Sequence, residues 1–176
     1  MSVIPECFVD TNLISSLLGD IGVNHQKGCT RVTGVMDKHL ADRFAIGVID
    51  ADKVTPGYLA KLRKVTSLQH LCVYKSDVRP HYIITIHKAV EDFILDEAHK
   101  AGISLSAYGL PDTLDALKKL TKKVGSDKDE RFRALFRELD SVGEVAALKE
   151  LLLYLRSEGY ASREEQIMSI FEGRYF

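Results

Sequence analysis

The sequence predicts an α/β fold, a mainly parallel sheet sandwiched by helices and followed by an all-helical C-terminal extension. Three observations carry that expectation. Short apolar runs alternate with helical patterns over roughly the first hundred residues. One run, Phe44–Ile49, is apolar throughout, as expected of a strand covered on both faces. After Gly102 only helical spacing continues. The chain therefore divides into an α/β domain at 1–102 and a helical extension at 103–176 packed on it.

Taken in order, Cys7-Phe8-Val9 reads as a short buried strand ending at Asp10. Asp10-Thr11-Asn12 then opens a helix, because these residue types cap helix N-termini. A polar loop, Asn24 to Gly28, leads to a second helix from about Thr30 to Leu40. The central strand Phe44–Ile49 ends at Asp50. Pro56-Gly57 starts a helix through about Ser67, and Leu71–Tyr74 is a strand. Arg79-Pro80 marks a turn before a strand from His81 to Ile86, and Lys88–Lys100 is a helix. Further helices are expected at Thr113–Lys122, Asp129–Leu139, Val142–Leu155 and Ser162–Phe171, the last opened by a Ser162-x-x-Glu165 capping box.

Composition narrows the function. The net charge of −1 advertises no global attraction to nucleic acid or membrane, although a local basic groove is compatible with it. The three cysteines, Cys7, Cys29 and Cys72, form no C-x-x-C pair and suit a reducing compartment. No run approaches the ~20 apolar residues of a membrane span, and no signal peptide is evident. A cytoplasmic protein without a membrane partner is expected.

The chemistry-bearing pattern is acidic. Parallel sheets present functional groups at the carboxyl ends of their strands. Two expected strands end there in aspartate, the first at Asp10 and the central one at Asp50, with Asp52 two residues on. If the strands are neighbours, three carboxylates converge and repel one another unless a cation sits among them. Mg²⁺ or Mn²⁺ suits such oxygen donors, and supports in-line attack on a phosphodiester. Asp10, Asp50 and Asp52 are thus the candidate catalytic and metal-binding residues, with Glu91 as a further ligand. Asp10 reads equally well as a helix cap, and Glu91 as an acid favoured by the helix dipole. Glu6, at the start of the expected first strand, is placed at the opposite sheet edge.

The order of these parts resembles the Toprim domain of topoisomerases, primases, recombination mediators and nucleases of the overcoming-lysogenization-defect type. Phe44–Lys53 (FAIGVIDADK) is similar to the D-x-D strand of small stand-alone members. Lys27–Val32 is similar to their glycine-containing turn, and Ala89–Leu95 to a glutamate-containing helix. The resemblance covers about residues 6–100. It implies a glutamate followed by glycine at the end of the first strand, where this chain has Asp10-Thr11 under the expected alignment. It further implies a Toprim/Rossmann-like sheet and Mg²⁺-dependent nuclease or phosphotransfer activity on nucleic acid, a chemistry suited to defence against foreign DNA. A second, shorter resemblance is to PIN-domain ribonucleases, on Phe8–Ile14 (FVDTNLI). There Asp10 would be a metal ligand supported by Thr11 and Asn12.

Lys27, Lys53 and Lys122 are candidates to meet nucleic-acid phosphates. Lys122 lies in the run Lys118-Lys119-Leu120-Thr121-Lys122-Lys123, which also reads as a solvated helix face. His25, in the loop before Lys27, and His87, at a strand end, are candidates for substrate contact or ordinary loop residues. No P-loop pattern accompanies Lys27-Gly28, so ATP hydrolysis is not expected. The alternative to an enzyme is a catalytically degenerate Toprim-like module that works with a protein partner docked on its helical C-terminal region.

Overall fold

The computed structural model describes residues 2–19, 23–51 and 57–173. Its elements are β1 (Ser2–Pro5), α1 (Phe8–Leu18), α2 (Cys29–His39), β2 (Ala45–Asp50), β3 (Arg63–Ser67), β4 (Leu71–Lys75), β5 (His81–Ile86), α3 (Val90–Lys100), α4 (Leu114–Thr121), α5 (Glu130–Leu139), α6 (Gly143–Glu158) and α7 (Glu164–Glu172). The five strands form one sheet in the order β1-β2-β5-β4-β3.

The chain is α/β as expected, but the sheet is mixed. β1–β2 and β2–β5 pair in parallel, whereas β5–β4 and β4–β3 pair antiparallel. The reason lies in the connections. Strands joined by a few residues fold back on each other, because a parallel partner needs a crossover of a dozen residues or more. Ser76–Pro80 joins β4 to β5, and Leu68–His70 joins β3 to β4. The helix expected up to Ser67 is therefore not there. Its described part is a single 3-10 turn, Leu59–Lys61, followed by β3. Arg63 and Lys64 are exposed on this edge strand, so it lacks the apolar signature of a buried one.

The first strand also differs from expectation. The strand is Ser2–Pro5, and Phe8–Ile14 forms the opening turns of α1 rather than a strand and turn. An apolar triplet is ambiguous between strand and buried helix. The cap decides it: Cys7 is extended (φ −132°, ψ 175°), its Sγ accepts from the Asp10 amide at 3.4 Å, and the Asp10 carboxylate accepts from the Cys7 amide at 3.1 Å. This is the reciprocal geometry of a capping box, with cysteine at the cap. The box expected at Ser162 is absent, since α7 is capped at Arg163 without a side-chain hydrogen bond.

Two apolar layers cover the sheet. On one face Ala45 and Ile49 of β2 pack with Ile4, Ile83 and the α2 residues Val32 and Met36. On the other face Val3, Ile46, Val48 and Ile84 join Leu13, Phe93, Phe132, Leu148 and Phe171. The residues of β2 thus alternate between the layers, as strand geometry requires. Residues beyond 102 share this second layer with α1. Asn12 reinforces the join, its Nδ2 donating to the carbonyls of Ser126 (2.8 Å) and Asp129 (3.1 Å). Buried Glu97 and Glu144 tie α3, α6 and the start of β4 together. Glu144 accepts from the amides of His70 (2.9 Å) and Leu71 (3.0 Å), and its own amide donates to Glu97 at 2.6 Å. Among the described residues no helix is long and apolar enough to cross a membrane.

Gly47 is the close-approach point between β2 and α2. A Cβ there would lie 2.8 Å from Met36 Sδ and 3.1 Å from Val32 Cγ1, both in buried side chains. We expect Gly47→Ala to destabilise the fold by about 1–3 kcal/mol, read as a lower urea midpoint with an unchanged slope.

Candidate functional site

The carboxyl ends of β1 and β2 open onto a cleft of about 450 Å³. Pro5 ends β1 and the Cys7 cap starts α1, so Glu6 is fixed at the junction between them. The Asp50 amide, at the end of β2, donates to Glu6 Oε2 at 2.9 Å. Asp50 Oδ1 in turn accepts from the Val90 amide at 3.0 Å, which pins the start of α3 to the end of β2. Glu91, in the first turn of α3, accepts a short hydrogen bond from the Thr121 hydroxyl of α4. Asp92 pairs with Lys118 at 3.4 Å. Each acid is thus held by the start or end of a regular element.

The expected residues fall into three groups. Asp50, Glu91, Lys27 and Lys122 all line this cleft. Asp52 and Lys53 lie outside the described residues. Asp10 is not at a strand end: it is the third residue of α1, fully buried, and absent from the cleft wall. Its carboxylate caps the Cys7 amide, as a helix-capping acid does. Thr11 and Asn12 face other partners, Thr11 the Cys7 carbonyl and His25, Asn12 the segment before α5. His87 sits beyond β5, where its amide donates to the His70 carbonyl.

Sequence reasoning missed Glu6 and Lys88, both on the cleft wall, where Lys118 of the basic run also stands. Glu6 follows the carboxyl end of β1 and does not precede a strand, so it stands on the Asp50 side of the sheet. The signal that locates it is the Cys7-x-x-Asp10 cap spacing, which starts the helix earlier than Asp10. Lys88 has φ +35°, the one non-glycine residue among those described with positive φ. Such a conformation is strained for a side-chain-bearing residue, and it falls where β5 turns into α3.

Four acids (Glu6, Asp50, Glu91, Asp92) and four lysines (Lys27, Lys88, Lys118, Lys122) share the cleft. Behind it, burial pushes the Asp10 carboxyl up to about 7, and the negative charges of Glu6 and Glu91 add to the rise against hydrogen bonds from Cys7. Burial likewise drives the Cys7 thiol far up, so it is not a thiolate nucleophile. Asp10 Oδ1 and His25 Nε2 are buried atoms without a hydrogen-bond partner. Among the described residues no three His, Cys, Asp or Glu side chains converge closely enough to hold an ion by themselves. A hard cation held by one or two carboxylates together with water and phosphate oxygens does not need such a cage.

Comparison with known proteins adds no relative: no family model, curated protein or solved structure matches the chain. The cleft must be read from its own chemistry. Paired carboxylates and lysines at the carboxyl ends of adjacent parallel strands are suited to a ligand that carries phosphate, with or without a divalent cation.

The Asp10 carboxyl gives a stability signature. Its ordinary value is 3.8 and its folded value about 7. Between the two, the unfolded chain ionises while the folded chain keeps its proton, so this group lowers stability as pH rises through that window. Asn keeps an acceptor for the Cys7 amide and cannot ionise. Relative to wild type, Asp10→Asn should gain stability from pH 4 to pH 7 and hold the gain above it, measured by urea unfolding at each pH. A difference independent of pH would mean that Asp10 titrates as an ordinary carboxylate.

Proposed function

We propose that the chain is a Toprim-like, Mg²⁺- or Mn²⁺-dependent nuclease or phosphotransfer module acting on nucleic-acid phosphodiesters, with its site in the cleft at the ends of β1 and β2. The observation that carries this reading is the pairing of Glu6, directly after β1, with Asp50, at the end of the neighbouring parallel strand, through the 2.9 Å hydrogen bond between them. The resemblance calls for a glutamate after the first strand and a D-x-D after a later one. Glu6 supplies that glutamate better than Asp10, and Cys7 then stands where the family has glycine.

Glu6 and Asp50 are the described residues that fit a hard cation, with Asp52 as the third donor the sequence suggests. Such an ion, when bound, would activate water and offset charge on phosphoryl oxygens. The chain's own lysines supply the rest. Lys27 reaches the cleft from the loop before α2, Lys122 from the end of α4, and Lys88 from the β5–α3 turn. Ammonium groups so placed bind phosphate oxygens and orient the ester. Lys53 belongs to the same proposal from sequence alone.

One observation favours the second reading, a non-catalytic module that engages a protein partner through residues 103–176. Asp10, Asp50 and Glu91 each already accept a hydrogen bond that fixes a helix end or helix pair, a purpose that needs no cation.

Titration with Mg²⁺ and Mn²⁺, paired with cleavage assays on single- and double-stranded DNA and RNA, separates the two. Asp50→Asn retains an oxygen for the Val90 amide, and Glu6→Gln one for the Asp50 amide, so both variants should fold. We expect each to lose about 10- to 100-fold in cation affinity and to lose cleavage with it. Equal affinity in wild type and Asp50→Asn would remove the enzymatic reading and leave the module.

A further inference from the structure

We propose that the cleft selects single-stranded nucleic acid, and that Phe8 makes the selection by stacking on a base next to the phosphodiester. The inference rests on the phosphodiesterase reading given above and names its substrate.

Phe8 is not a core residue. Six phenylalanines lie among the described residues. Phe44, Phe93, Phe132, Phe136 and Phe171 are all buried in the larger apolar layer. Phe8 joins neither layer: it is half-buried and lines the cleft. The helix start explains this. Cys7 caps α1, so Phe8 is its first residue, and Val9, one step round the helix, takes the inward position. The Phe8 ring is also held. His25 stacks on it with centroids 4.8 Å apart and planes 12° from parallel. The His25 loop is fixed to β1, with the Asn24 amide donating to the Val3 carbonyl (2.8 Å) and the Gln26 amide to the Pro5 carbonyl (3.0 Å). His25 Nδ1 lies 2.9 Å from Thr11 Oγ1, which ties that ring back to α1. A braced aromatic surface thus stands in a cleft among four acids and four lysines.

What the ring can recognise follows from its neighbours. The Lys27 ammonium stands 5.8 Å from the Phe8 centroid, on an exposed side chain. Its flexible stem can swing to a phosphate as a base takes the ring. Lys88 and Lys122 are likewise exposed at the cleft, whereas Lys118 is already paired with Asp92. Rings set beside lysines bind nucleic acid by stacking on bases and attracting phosphates. Stacking needs an open base face. In a duplex the neighbouring bases cover both faces, and a base must first be extruded. A cleft of about 450 Å³ has room for a nucleotide and not for the width of a paired duplex. A single strand meets both conditions. Its bases splay out onto an aromatic ring without breaking pairs, and its backbone then passes the lysines beside Glu6 and Asp50. DNA and RNA strands share this chemistry.

The chain has no tryptophan, so Phe8→Trp places a single fluorophore in the cleft and keeps a stacking face. Phe8→Leu keeps an apolar side chain and removes that face. Wild type and both variants are titrated, with Ca²⁺ as the divalent cation, with one oligonucleotide sequence as a DNA strand, an RNA strand, a duplex and an abasic strand. Thermal melting checks folding. We expect wild type to bind a base-bearing single strand about tenfold more tightly than the duplex or the abasic strand, and Phe8→Leu to lose that advantage. The tryptophan emission of Phe8→Trp should be quenched by base-bearing strands and not by the abasic one. Mn²⁺ affinity should be the same in all three proteins. Equal single-strand affinity in wild type and Phe8→Leu would overturn the assignment, as would a duplex bound as tightly as the strands. So would unchanged emission from Phe8→Trp saturated with strand, and this readout decides alone if Phe8→Leu melts early. In each of these cases cleavage that depends on Asp50 would leave the cleft standing. A wild type that binds neither strand nor duplex would overturn the assignment together with the reading on which it rests.

Discussion

The cleft depends on one contact, the hydrogen bond from the Asp50 amide to the Glu6 carboxylate. Parallel strands in register end at the same level, and here Pro5 pairs with Val48. The chain leaving β1 therefore passes the last residues of β2. Glu6 turns that proximity into a fixed geometry, because its carboxylate takes up an amide left over where the ladder between β1 and β2 stops. Asp50 passes the restraint on to Val90. Two strands and a helix N-terminus are thereby locked around one point. A carboxylate that ends a strand and satisfies a neighbouring amide is cheap to keep in place, and its remaining charge stands at the cleft.

The charges there are balanced but not evenly placed. Asp92 and Lys118 form a pair across α3 and α4, whereas Glu6 and Asp50 meet at the sheet end through the Asp50 amide. Burial holds the proton on Asp10 to about pH 7, and the charges of Glu6 and Glu91 add to that effect. A cation added among the carboxylates would relieve the same repulsion from the other side. The buried carboxyl would thereby sense a cation beside Glu6, even though Asp10 does not line the cleft.

Much of this was legible in the sequence. The strand ending at Asp50 announced itself by an unbroken apolar run, and the helix bearing Glu91 by its spacing. What misled was local. Cys7-Phe8-Val9 has the composition of a strand, yet the cysteine can cap a helix because Asp10 stands three residues on. That single shift moves Glu6 from one end of the sheet to the other and takes Asp10 inside. β3 was obscured because four of its five residues are charged or polar, at the edge of the sheet. Lys88 carries no pattern of its own, and Lys118 belongs to a basic run that reads equally well as a solvated helix face. Their place on the cleft wall follows only from the fold.

The most direct measurement is paramagnetic relaxation by Mn²⁺ on the amide spectrum of the labelled protein, in wild type and in Glu6→Gln. If Glu6 and Asp50 hold the ion, substoichiometric Mn²⁺ will broaden the amides of residues 6, 50 and 90 first, and the substitution will weaken that response. Broadening centred elsewhere, or a response identical in the Glu6→Gln protein, would contradict the claim that the β1–β2 carboxylate pair is the functional centre.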